Sequence, residues 1–236
     1  MASLKAVSVT HVRYEVGDDI GHLMAWASLL PILISAGFVS HFIFRRELLA
    51  MFFAAGLIMS EFCNEKIKEE VKQARPLTCE LLEMCDSHGW PSSHSQYMSF
   101  FSTFISLSAL FRWSFHGSLR RAMVVLLPWP FAVLTMYSRI YLGYHTVSQV
   151  FAGAGAGLVM GSLWYFVVYR LMVPLFPVIE ETRIARAFYI KDSGHIQNVL
   201  KFEYENSRRA RRGGATADGS SKLVAPPPSR RKVSTD

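Results

Sequence analysis

Residues 144–169 read YHTVSQVFAGAGAGLVMGSLWYFVVY, twenty-six consecutive positions without Asp, Glu, Lys or Arg. A helix needs about 20 such residues to cross the roughly 30 Å of hydrocarbon in a bilayer, so this stretch suffices for one crossing. A helix on the surface of a soluble core would carry charges on its outer face, and a barrel strand would alternate apolar with polar side chains; the stretch does neither. Four further blocks are also free of charge: 26–44, 48–60, 95–111 and 122–138. Because a backbone in lipid must satisfy its own hydrogen bonds, these blocks are expected to be helices. The expected fold is therefore all-α, a polytopic membrane helix bundle of about five transmembrane helices. Composition agrees, with 51% hydrophobic residues and a mean hydropathy of +0.22 over the 236 residues.

The block 48–60 is too short to cross alone and runs into the charged stretch Glu61–Lys68, with no helix breaker before Pro76. One helix continuing to about Arg75 is the expectation. The first apolar run follows more than twenty polar-rich residues without a small-residue cleavage site, so the first span is expected to be retained. Alternating spans place residues 64–95, the 138–145 junction and the N-terminus on one side. The other side carries Arg45, Arg46, Arg112, Arg120, Arg121, Arg170, Arg183 and Arg186, which makes it cytosolic by the positive-inside rule. The chain thus divides into a lumenal N-terminal segment (1–22), a transmembrane domain (23–176), a cytosolic membrane-surface segment (177–206) and a disordered basic tail (207–236). With a net charge of +7, the run Arg208–Arg212 is assigned to anionic lipid and not to nucleic acid, because the chain is anchored at a bilayer. Cys79 and Cys85 share one loop, and both a disulfide and free thiols remain open.

Ionisable residues at a membrane edge are costly unless they pair or work. Three clusters fall on the lumenal side. Lys68 and Arg75 are seven residues apart, two turns of the expected helix, and so share its face. Pro91-Ser92-Ser93-His94 immediately precedes a span, which puts its hydroxyls and free N–H groups at a helix N-terminus, a site for anions. Ser138-Arg139 and His145 bracket the junction of the last two spans. Two arginines, a lysine and a helix N-terminus converging on one volume call for a polyanion, and phosphate fits the planar fork of arginine. His94 and His145 add what phosphoryl transfer still lacks, a nucleophile and a proton donor.

These three clusters, Lys68-x6-Arg75-Pro76, Pro91-Ser92-Ser93-His94 and Ser138-Arg139-x5-His145, resemble the signature motifs of the type 2 phosphatidic acid phosphatase superfamily, which includes the vanadium haloperoxidases. The resemblance covers roughly residues 48–175. More closely, the runs PSSHSQ (91–96), SRIYLGYHTVSQV (138–150) and NVLKFEY (198–204), the last extending the match into the tail, resemble the dolichyl-diphosphatase family of the endoplasmic reticulum. The resemblance implies that His145 attacks phosphorus and forms a phosphohistidine, while His94 protonates the leaving lipid phosphate and later deprotonates water. It implies that Lys68, Arg75 and Arg139 hold the equatorial oxygens, with Ser92 and the N–H groups of Ser93 and His94 completing the cradle. No metal and no cofactor is implied. The implied partners are the membrane and dolichyl diphosphate, a polyprenyl lipid whose hydrolysis to dolichyl phosphate recycles the glycan carrier for N-glycosylation. Two positions depart from the superfamily: Gln149 stands where it has aspartate, and Ser93 where it usually has glycine. Four residues beyond His145, the carbonyl of Gln149 is expected to accept from Nδ1.

Lys66 and Lys72 are read as solvated helix face, and His22, His41, His88 and His116 as interfacial. Glu61 and Asn64 are read as polar contacts between helices, and Ala152–Gly157 as close helix packing instead of a phosphate loop. A lipid phosphatase of broader specificity and a non-catalytic lipid-binding scaffold are the rival readings.

Overall fold

The computed structural model describes residues 12–113 and 117–214, and among these the regular secondary structure is entirely helical. Asp18 opens the first helix, α1 (Asp19–Ser28), by accepting a hydrogen bond from the Gly21 N–H. A break at Leu29 leads into α2 (Leu30–Phe44), which carries Pro31 in its first turn, where a missing N–H does no harm. Next come α3 (Leu48–Val71), α4 (Ser93–Phe111), α5 (Ser118–Leu126), α6 (Pro128–Tyr141) and α7 (Val147–Val167). A π-helical turn over 168–172 and a 3-10 turn over 173–175 extend α7 into α8 (Phe176–Glu180), followed by α9 (Arg183–Phe188).

Four stretches among the described residues are long and apolar enough to cross a membrane: Asp19–Phe44, Leu48–Val71, Ser118–Tyr141 and Val147–Glu180. The remaining expected span, α4, is less apolar because it carries Ser95, Ser99, Ser102, Thr103, Ser106 and Ser108. All six are buried, since α4 is the central helix, packed against α3, α5, α6 and α7. Its hydroxyls face protein instead of lipid, which removes the penalty that composition alone assigns them. At 19 residues α4 is about 28 Å long, enough to cross.

Its closest partner is α7. A Cβ on Gly153 or Gly157 would lie 2.3 Å from the carbonyl oxygen of Ser92 or Gln96, so the glycine-rich run serves backbone contact, as the small-residue pattern indicated. Towards one end, Asn64 Nδ2 donates to Gln96 Oε1 at 2.7 Å, and Gln96 Nε2 donates to the Ser60 carbonyl at 2.7 Å, tying α3 to α4. Deeper in the bundle Phe53, Phe100, Phe104 and Tyr169 form an aromatic cluster, with Phe53 and Phe104 stacked at 4.2 Å.

Two helix boundaries differ from expectation. The third helix ends at Val71, not near Arg75, because Lys72 adopts the left-handed conformation (φ 50°, ψ 30°). Beyond it, the Gln73 carbonyl accepts from Gly89 N–H and the Ala74 carbonyl from Gln149 Nε2, and Arg75 precedes a proline, which disfavours helix. Lys68 and Arg75 therefore do not share a helical face. In the C-terminal unit, which begins at Ser193, α10 (Val199–Gly214) extends through 207–214, a stretch expected to be disordered. Arginine and alanine are good helix formers, and the Asn198 side chain caps the first turn through Lys201 N–H at 2.9 Å. The rest of the expected tail, 215–236, lies outside the described residues, as do residues 1–11 and His116.

Candidate active site

The C-terminal ends of α3 and α6 meet the N-terminal ends of α4 and α7 at one end of the bundle, with the 72–92 loop across them. His145 stands in the α6–α7 junction, two residues before α7, and is only 3% exposed. Its Nδ1 lies 3.0 Å from the Gly89 carbonyl and 3.2 Å from Gln149 Oε1, and its Nε2 lies 3.2 Å from Arg75 Nη1. A guanidinium only donates, so Nε2 accepts and the proton resides on Nδ1, shared between two oxygen acceptors. The Nε2 lone pair thus points into the cationic side of the site. Burial, reinforced by Arg75 and Arg139, pushes the His145 pKa down to about 3, so the imidazole is neutral at ordinary pH.

Gln149 does more than its spacing indicated. Its Oε1 also accepts the Thr146 N–H at 3.2 Å, completing a capping box with the Thr146 hydroxyl at the start of α7. Its Nε2 donates to Gln73 Oε1 at 3.1 Å and to the Ala74 carbonyl at 2.9 Å. One amide therefore orients the imidazole with its oxygen and grips the segment leading to Arg75 with its nitrogen.

Arg75 reaches the site from this loop segment. Its Nε donates to the Ser87 carbonyl at 3.2 Å and hydroxyl at 2.9 Å, and Nη1 to the Tyr144 carbonyl at 3.1 Å. Burial lowers its pKa from the usual arginine value. Arg139, in the last turn of α6, is 3% exposed and lies 3.9 Å from the Tyr144 ring. Its Nη1 donates to Ser28 Oγ at 2.6 Å, and its Nε is buried without a hydrogen-bond partner. Lys68 Nζ donates to Glu65 Oε1 at 2.6 Å and to Ser93 Oγ at 3.4 Å. Ser92 is fully buried, with its hydroxyl accepting from Ser95 and its N–H bonded to the Gln149 carbonyl at 3.0 Å. Ser93, not Ser92, therefore offers its hydroxyl beside Lys68. The first N–H groups of α4, from Ser93 onward, have no acceptor within the helix. His94 lies within electrostatic reach of Arg139, Lys68 and Arg75, and with Ser93 and Glu61 it lines a cavity of about 750 Å³. That cavity is an apolar groove along α2, α3 and α4, walled by Phe38, Phe42, Met51, Ala54, Leu57 and Ile58 among others.

The 72–92 loop is braced. Cys79 and Cys85 form a disulfide, settling the alternatives left open by the sequence, and Thr78 Oγ1 donates to the Gly143 carbonyl at 2.6 Å. Among the described residues, no three His, Cys, Asp or Glu side chains are grouped to hold a metal ion.

Residues 49–172, more than half the chain, match the PAP2 superfamily. The chain belongs to the PAP2 superfamily. It is 58% identical over 211 residues to lipid phosphate phosphatase gamma of Arabidopsis thaliana, covering 89% of this chain and 93% of that one. It is 40% identical over 213 residues to dolichyldiphosphatase 1 of Mus musculus, covering 88% and 90%. The transmembrane PAP2-type phosphatidylglycerolphosphate phosphatase of Bacillus subtilis has a similar fold, with a TM-score of 0.52 at 22% identity, over 68% of this chain and 82% of that one. This PAP2 chain is thus a multi-pass membrane protein of a lipid phosphatase family.

All the motif residues expected to meet do lie at the one end. The motifs did not indicate several residues that the structure brings into contact with them: Gly89 and Tyr144 through carbonyl oxygens, Ser87 and Gln73 in the loop, and Ser28 at Arg139.

Proposed function

We propose that the protein hydrolyses dolichyl diphosphate to dolichyl phosphate and inorganic phosphate through a phosphohistidine at His145. The observation that carries this reading is the His145 Nε2 lone pair facing Arg75 at 3.2 Å, with Nδ1 tied to two acceptors. Nε2 attacks the terminal phosphorus as the P–O bond to the lipid phosphate breaks. The positive charge appearing on the ring is stabilised by Gly89 and Gln149, which accept from Nδ1. Lys68, Arg75, Arg139 and the α4 N-terminus hold the phosphoryl oxygens, where charge grows in the transition state. His94 gives its proton to the departing lipid phosphate, then takes one from the water that attacks phosphorus and frees His145. Three cations and a helix terminus supply the charge that a divalent ion would otherwise provide, so turnover is expected to persist in EDTA.

The groove beside His94 favours a lipid substrate, whose chain lies among apolar side chains while its phosphate enters the cationic end. The dolichyldiphosphatase relatives support the diphosphate and a place in the endoplasmic reticulum membrane. Arg45, Arg46, Arg112 and Arg170 lie at the helix ends away from the site, supporting a lumenal site and cytosolic C-terminal segment. A broader lipid phosphate phosphatase is the second reading, favoured by the similarity to the Arabidopsis enzyme. Purified protein assayed in EDTA with dolichyl diphosphate, dolichyl phosphate and phosphatidic acid decides between them. A preference for dolichyl diphosphate of at least about 10-fold in kcat/KM supports the first reading; equal rates on all three support the second, and a requirement for added metal overturns the mechanism.

A further inference from the structure

Arg139 belongs to the part of the chain that matches the family, but the residue that seats its guanidinium does not. Ser28 ends α1, precedes residue 49 where the family match begins, and is completely buried. Its hydroxyl accepts from Arg139 Nη1 at 2.6 Å. Two further bonds hold α1 on α6: Tyr141 OH donates to the Asp18 carboxylate at 3.0 Å, and Thr135 Oγ1 donates to the Ala27 carbonyl at 3.2 Å. The first helix is therefore fastened to the helix that carries the arginine at the level of the site and below it.

The Arg139 guanidinium carbon lies 3.9 Å from the centre of the Tyr144 ring, but a ring face places little restraint on rotation of the guanidinium over it. A hydrogen bond at one terminal nitrogen removes that freedom. We propose that Ser28 is a positioning residue of the phosphatase reaction, which holds the Arg139 guanidinium at one terminal nitrogen and so sets the in-plane orientation with which the fork is presented to the phosphoryl group. Recognition by a planar fork depends on that angle. The inference rests on the reading that Arg139 holds the phosphoryl group, but not on which lipid carries it.

The test uses full-length protein in detergent, with Ser28→Ala, Ser28→Thr, Arg139→Ala and the double variant Ser28→Ala/Arg139→Ala. Kinetics are measured on the best lipid phosphate substrate of the parent, and orthovanadate, which mimics the pentacoordinate phosphoryl group, is titrated by calorimetry. Losing a hydrogen bond to a charged group predicts a fall in kcat and in vanadate affinity of about 10- to 100-fold for Ser28→Ala, with KM changed less than about 3-fold. Ser28→Thr, which keeps the hydroxyl, should recover to within about 3-fold of the parent. In the Arg139→Ala background, removing Ser28 should cost no further vanadate affinity. Parental kcat and vanadate affinity in Ser28→Ala overturn the proposal, as does a full additional loss in the double variant. Inactivity of the parent on dolichyl diphosphate alone would sink the substrate assignment but leave the vanadate comparison decisive for Ser28.

Discussion

Replacing Gln149 by Glu preserves shape but exchanges the amide nitrogen for a second carboxylate oxygen. One oxygen stays 3.2 Å from His145 Nδ1, while the other now faces two acceptors, Gln73 Oε1 and the Ala74 carbonyl. Two donated hydrogen bonds at about 0.5–1.5 kcal/mol each are lost, and the two buried acceptors are left opposing a charge, so folding stability should fall by about 2–4 kcal/mol. The effect on the nucleophile has the opposite sense. A carboxylate in contact with an imidazole favours the protonated ring by about 1–3 pKa units, which carries His145 from about 3 up to about 4–6. The ring remains mostly neutral at pH 7.5, so the variant should still form the phosphoenzyme. Thermal unfolding in detergent measures the first effect, at about 2–4 °C per kcal/mol for a chain of this size, and NMR titration of labelled histidine measures the second. An unchanged unfolding midpoint, or a His145 pKa that does not rise, would show that the Gln149 amide does not bridge the nucleophile and the 73–75 segment.

Other perturbations probe the same frame. Arg75→Lys keeps a positive charge but gives up the fork that joins Ser87, Tyr144 and His145 at once; kcat/KM should fall by about 100-fold or more, and near-parental activity in a steady-state assay would contradict that bridging role. Reducing Cys79–Cys85, or replacing both by Ser, frees the loop that supplies Ser87 to Arg75 and Gly89 to His145. Activity should drop with little change in helix content by circular dichroism, whereas an unaffected rate would mean that the other braces suffice. Acid should destabilise the protein through His145. Its folded pKa is depressed, so between about 6.5 and about 3 the unfolded chain takes up a proton that the folded chain refuses, and stability falls as pH is lowered through that window by at most about 1.4 kcal/mol per pH unit. His145→Gln should flatten part of this dependence in chemical denaturation measured at several pH values.

The all-helical membrane class was legible in the sequence because lipid imposes a simple rule on composition: about 20 apolar residues per crossing, with every backbone bond closed within the helix. The sequence also singled out the ionisable residues that the fold gathers at one end of the bundle. Lys68, Arg75, His94, Arg139 and His145 are ionisable groups at the ends of apolar blocks, where charge is too costly to be casual. Gln149 was singled out by the family resemblance together with its spacing, and its Oε1 lies 3.2 Å from Nδ1 although His145 precedes the helix instead of sharing it.

Tertiary structure decided what those side chains face. Whether α3 runs on to Arg75 depends on Gln149 and Gly89 capturing the backbone after Lys72, contacts between residues more than seventy and about sixteen positions apart, respectively. That α4 sits at the centre with its hydroxyls shielded follows from helix packing, which averages over composition hide. The second acceptor for His145 is a carbonyl, present at every residue and so carrying no mark in the sequence, and Ser28 looks like any serine of an apolar helix until α1 is laid against α6. Bilayer solvation acts on each residue by its type, and so the sequence alone determined the helical membrane class and singled out the ionisable candidates. Hydrogen-bond partners depend on geometry between distant segments, and only the folded chain decided them.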